Sequence, residues 1–188
     1  MRNLSTLAWR VYDAPTKPWH GVVADTEGDD SVYVMRVERR DGVSQLTLAH
    51  ITPTGTEELA VLEVASAPPH VPDVADFRLL ADGGSSVNHM PAICVIGSGG
   101  DIVLMPVDEE ASAPAEVVGS VDQGILAAAW SPEEDVLVLI TGGEKRLIVM
   151  TREFEVMSET MLSTEAFGDD QPVNVGWGSK STQFHGSE

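Results

Sequence analysis

The chain has 188 residues, 43% of them hydrophobic and 5% aromatic, the length and apolar content of one domain or of part of a larger one. A count of 17 glycines and 11 prolines interrupts it often, which favours short strands and turns over long helices. Its 11 Lys and Arg against 30 Asp and Glu leave a formal charge of −19, a field that repels phosphate backbones and anionic lipid surfaces. Direct nucleic-acid binding by this chain is therefore disfavoured, and the acidity suits a solvated surface or an acidic docking face for a basic partner.

The opening MRNLSTLAWRVYD lacks an apolar stretch of signal-peptide length, and no eighteen apolar residues run together as a membrane span needs. No membrane partner is expected. Cys94 is the only cysteine and sits inside the apolar run AICVI, so no intrachain disulfide can form and a reducing, cytoplasmic setting is expected. Without a secretory signal the Asn3-Leu4-Ser5 sequon reads as chance.

In chain order, LSTLAWRVY stands apart from the later strand-like runs, as an edge strand that could complete the last blade of a closed ring. SVYVMRVERR (31 to 40) and VSQLTLAHI (43 to 51) are strand-like and flank Asp41-Gly42, a pair that favours the positive φ angles of a tight hairpin. ELAVLEVA (58 to 65) alternates loosely enough for a strand or a short helix, and its neighbours favour the strand. AICVIG (92 to 97) and IVLMPV (102 to 107) form a second hairpin around Ser98-Gly99-Gly100-Asp101, with β-branched residues suited to burial on both faces.

The strongest organisational signal is repetition. ILAAAWSP and VNVGWGS end their apolar runs at Trp130 and Trp177, 47 positions apart, and SGGDIVLM and TGGEKRLIVM end at Met105 and Met150, 45 positions apart. A WD40 blade repeats at about 40 to 45 residues, so the spacing fits four-stranded blades with modest loops. One unit can be followed whole as ILAAAW, SPEED, VLVLIT, GGEKR, LIVMT, REFE and VMSETML, with Ser131-Pro132 placing proline at the second position of a turn. Alanine makes ILAAAW a good helix by propensity alone; the repeat and the flanking Pro and Gly decide for strand.

The expected fold is therefore all-β, with WD40-type β-propeller blades at roughly residues 20–70, 75–122 and 124–166 and the start of the next at 172–188. Propellers close with about four to eight blades, so an incomplete propeller is expected, marginal in stability as an isolated unit because an end blade leaves its apolar face and strand edges uncovered.

Four patterns that could carry chemistry favour structural readings. DTEGDD (25 to 30) spaces carboxylates like a calcium loop, but its glycine is at the fourth position and Arg36 occupies the twelfth. The histidines at 20, 50, 70, 89 and 185 are isolated at spacings unlike a zinc site, so no metal and no cofactor is expected. Gly97-Ser98-Gly99-Gly100 lacks a nucleophile-elbow spacing and is followed by a strand; Gly142-Gly143 takes the equivalent place one unit later, as a turn would. The densest basic cluster, Arg36, Arg39 and Arg40, fits one solvated hairpin face and no nucleic-acid groove. Trp177, Lys180, Gln183, Phe184 and His185 form the most distinctive cluster; it reads either as a partner contact of the anchor type or as blade core with an exposed turn.

ILAAAWSPEEDVLVLITG, LIVMTREFEVMSE and VNVGWGSKSTQFHGSE resemble the first WD40 propeller of the Elongator scaffold-subunit family, as does the opening Met1-Arg2-Asn3-Leu4. The resemblance is sharp from about residue 124 and carried elsewhere by strand rhythm and the SGGDIVL hairpin. It implies a non-catalytic organiser that holds a radical-SAM/acetyltransferase subunit and a second propeller subunit. The complex it implies modifies tRNA wobble uridines and resides in the cytoplasm and the nucleus. The dimerising and basic regions of that family lie outside this chain. The alternatives are an interaction propeller unrelated to Elongator and a propeller hydrolase, which needs inward-facing carboxylates or histidines gathered at a central channel.

Overall fold

The computed structural model describes residues 21–25, 30–68, 71–80, 91–107, 114–163 and 175–177. Among them run twelve strands: β1 Gly21–Ala24, β2 Val32–Arg40, β3 Val43–Thr52, β4 Gly55–Ala65, β5 Val74–Leu80, β6 Ala92–Gly97, β7 Asp101–Pro106, β8 Glu116–Ser120, β9 Ile125–Trp130, β10 Val136–Thr141, β11 Arg146–Thr151 and β12 Val156–Met161. They form three four-stranded antiparallel sheets in simple sequence order, β1-β2-β3-β4, β5-β6-β7-β8 and β9-β10-β11-β12. β1 lies beside β5, and β5 beside β9, so the first strand of each sheet follows the last around one axis without closing a ring. This is the arrangement of propeller blades, left incomplete.

Local chemistry accounts for the hairpins. Asp41 and Gly42 take φ values of 48° and 84°, the paired positive angles of a type I′ turn, and the register runs unbroken from Arg40↔Val43 to Val32↔Ile51. At the end of β9 the Glu134 N–H donates to the Ser131 carbonyl (3.0 Å), with Pro132 at the second turn position. The Ser131 hydroxyl accepts from the Asp135 and Val136 N–H groups, each at 3.1 Å, and so replaces ladder bonds lost in the turn. ILAAAW is a strand despite its alanines, because Ala127, Ala128 and Ala129 pair across to β10. Tertiary pairing overrides the helical preference of alanine. The run from 58 to 65 is likewise a strand.

The repeat maps strand onto strand. Met105 and Met150 both lie on the third strand of their sheets, and both are buried on the face turned towards the preceding sheet. Two apolar layers result. Between the first and second sheets lie Met35, Leu46, Leu48, Ile93, Val95, Val103 and Met105. Cys94, Ile96, Ile102, Leu104, Trp130, Leu137, Leu139 and Met150 fill the layer between the second and third. The middle sheet is covered on both sides, which is why AICVIG is continuously apolar and β6 fully buried. Trp130 meets Phe154 edge-on, with ring centroids 5.9 Å apart.

Candidate interaction surface

The turns between the second and third strands of the last two sheets, at Ser98-Gly99-Gly100 and Gly142-Gly143-Glu144, lie against the connectors that lead from one sheet to the next, while Asp41-Gly42 of the first is exposed. Ser98 N–H donates to the Asp73 carbonyl (2.9 Å), Val121 N–H to the Gly100 carbonyl (2.9 Å) and Ile125 N–H to the Ser98 carbonyl (3.1 Å). A methyl group on Gly99 would strike the Ala65 carbonyl, and one on Gly142 the Gln123 carbonyl. These glycines therefore serve backbone-to-backbone packing between blades.

Polar side chains reinforce the same rim. Arg39 donates to Asp73 Oδ1 at 2.6 Å and the Ser44 hydroxyl to the same oxygen at 3.2 Å, tying the first hairpin to the connector after β4. Asp101 accepts from the Ala65 N–H at 2.7 Å, and Gln123 Oε1 from the Glu144 N–H at 2.8 Å. At the opposite end of the sheets, Arg78 on β5 reaches Glu134 in the turn after β9 at 3.2 Å, and Arg152 donates to the Glu134 carbonyl at 3.3 Å. Of these side chains the sequence marks Arg39 as part of a basic cluster and Asp101 as part of a turn, but not their partners, where only the turn-rich connectors PDV and DQG mark the places.

The basic cluster is neutralised in place. Arg36 lies 3.3 Å and Arg40 3.1 Å from Glu38, while Arg39 is held by Asp73, so the hairpin offers no run of unpaired cations for a phosphate backbone. Asp25 accepts from the Ser31 hydroxyl (2.7 Å) and lies 3.3 Å from His50 Nε2, while the His50 ring stacks on Tyr33 with centroids 4.7 Å apart. His50 is thus a packed histidine; His20, His70, His89 and His185 lie outside the described residues, as do positions 26–29 of the acidic loop. Among the described residues no three His, Cys, Asp or Glu side chains gather as a metal site would need. No helix of the described residues is long and apolar enough to cross a membrane.

Two titratable groups are displaced inside the second layer. Burial pushes the Cys94 thiol far up, and the nearby Asp76 charge adds to this, so the sulfur stays protonated and unreactive. Burial also raises the Asp76 carboxyl, opposed by a hydrogen bond from the Phe77 backbone and by Arg78.

Of the distinctive C-terminal cluster, Trp177 is described; Lys180, Gln183, Phe184 and His185 lie outside the described residues. Trp177 returns to the third sheet, its Nε1–H donating to the Ala129 carbonyl at 3.2 Å, and it remains 43% exposed.

A family model described as ELP1 first N-terminal beta-propeller matches residues 1–188. Elongator complex protein 1 of Mus musculus is 32% identical over 199 residues, covering 100% of this chain and 13% of its own length. Proteins of the same name from Schizosaccharomyces pombe and Saccharomyces cerevisiae are 43% and 37% identical, over 50% and 46% of the chain. The chain thus spans about an eighth of the mouse relative's length.

Proposed function

Because the chain belongs to the ELP1 first N-terminal beta-propeller family, we propose that it is a propeller segment of an Elongator complex whose work is assembly and not catalysis. The carrying observation is the family match across all 188 residues, joined by relatives named for Elongator along the full chain. On this reading the blades hold a radical-SAM/acetyltransferase subunit and a second propeller subunit, and they support wobble-uridine modification of tRNA without touching the tRNA. The excess of acidic side chains and the paired arginines of the first hairpin support a protein surface over a nucleic-acid one. The segment works in the cytoplasm and the nucleus.

The test is a pull-down in the source cells with the full-length protein and with residues 1–188 as separate baits. Recovery of the other Elongator subunits by the full-length bait supports the assignment; their absence from that bait overturns it.

A further inference from the structure

We propose that the outer edge of β4 (Gly55–Ala65) docks an extended basic segment of a protein partner, which adds to the first sheet as a fifth strand. At 11 residues β4 is about twice the length of its counterparts β8 and β12, with 5 and 6, and among the described residues it pairs with β3 alone. A long edge presents a row of backbone donors and acceptors to any incoming strand, and proteins commonly block such rows with lysine or proline. β4 contains neither. Its charges are Glu57, Glu58 and Glu63.

The register decides where those charges point. Leu48 pairs with Ala60 and Ala49 with Glu58, so Leu59 bulges. Leu62 and Val64 turn to the apolar layer beneath the sheet, while Glu58, Val61 and Glu63 share the opposite face, with Val61 45% exposed. Across the chain the carboxylates of Glu38, Asp73, Glu134 and Glu159 are matched by arginines. Glu57, Glu58 and Glu63 have no such match among the described residues, and the charge of −19 leaves few cations to supply one.

Those carboxylates also select the occupant. Two copies of β4 pairing about a twofold between Ala60 and Val61 would set Glu58 of each against Glu63 of the other, and like charges facing across strands destabilise. An extended segment with an apolar residue over Val61 and a basic residue two positions to either side meets both carboxylates and the free backbone. The inference rests on the strand and its charges, not on Elongator membership, and its failure leaves that reading intact.

The probe is a fluorescently labelled peptide, Thr-Lys-Thr-Val-Thr-Lys-Thr, titrated into the 188-residue chain by anisotropy and followed by amide hydrogen exchange. The expected result is saturable binding that slows exchange in β4, while β8 and β12 are unchanged. Affinity should fall about tenfold or more in Glu58→Lys/Glu63→Lys, whose folding is checked by far-UV circular dichroism. A peptide methylated on alternate backbone nitrogens should lose binding while keeping its charge. No binding, equal binding of the methylated peptide, protection outside β4, or dimerisation of the chain through β4 would each overturn the proposal.

Discussion

Asp73 and Arg39 are 34 positions apart in the chain, yet Asp73 Oδ1 accepts from Arg39 at 2.6 Å, fastening the connector after β4 to the hairpin of the first sheet. Ser44 donates to the same oxygen and shares a 2.9 Å hydrogen bond with Ser66. Asp73→Ala removes the common acceptor. Because the Arg39 side chain is 36% exposed, the loss is discounted to about 1 kcal/mol, measured by urea unfolding. A cycle with Arg39→Ala should give a coupling of about 0.5 kcal/mol that shrinks as salt is raised. Full additivity would show that the contact contributes nothing.

Three glycines separate backbone strain from crowding. Gly55 has open space around its α-carbon and an ordinary φ, so Gly55→Ala should be neutral or stabilise by about 0.5 kcal/mol by restricting the unfolded chain. Gly42 also has open space but a φ of 84°, so Gly42→Ala should cost about 1 kcal/mol. Gly100 combines a φ of 118° with a Val121 carbonyl where the methyl would go; Gly100→Ala should cost about 3 kcal/mol or more. Thermal unfolding of the three variants checks the order, and equal midpoints for Gly42→Ala and Gly100→Ala would remove crowding from the account.

Asp76 gives a pH test. Burial raises its folded-state value above the ordinary 3.8, so the folded chain disfavours the charged form. The resulting penalty is complete above the raised folded value, falls as pH drops through the interval down to 3.8, and is absent below it, where both states bind the proton. Asp76→Asn keeps an acceptor for the Phe77 backbone and should therefore be more stable than wild type at neutral pH. The difference should close on acidification. A gap that widens on acidification would reverse the sign assigned to this carboxyl.

Features set by neighbours in sequence were legible, and those set by the distance between blades were not. Asp41-Gly42 announces its hairpin because the turn chemistry is local, and the 45-position spacing of Met105 and Met150 reveals the blade because equivalent residues face equivalent layers. Even the ambiguous ILAAAW resolves once the repeat is seen. By contrast, Asp73, Asp101 and Gln123 matter only because a connector passes beside a turn of another blade or its own, which no local pattern encodes. Arg36, Glu38 and Arg40 share one face of β2 by strand alternation, so that pairing is local, whereas the neutralisation of Arg39 by Asp73 depends on a connector more than thirty positions away.

Trp177 was readable either as blade core or as a partner anchor, and one substitution separates the two. Its indole N–H donates to the Ala129 carbonyl, a contact that phenylalanine cannot make but whose ring can still cover β9. Water can reach the vacated carbonyl at this 43% exposed position, so Trp177→Phe should cost only about 0.5 kcal/mol in urea unfolding, and Trp177→Ala about 2 kcal/mol through the added loss of apolar cover. If Trp177 belongs to the blade, full-length protein carrying Trp177→Phe should recover the other Elongator subunits as well as wild type does. An anchor residue gives the opposite pair of results, because its ring fills a partner's pocket and contributes little to the free chain. Unchanged unfolding together with a sharp drop in recovered subunits would therefore move Trp177 from the blade to the interface.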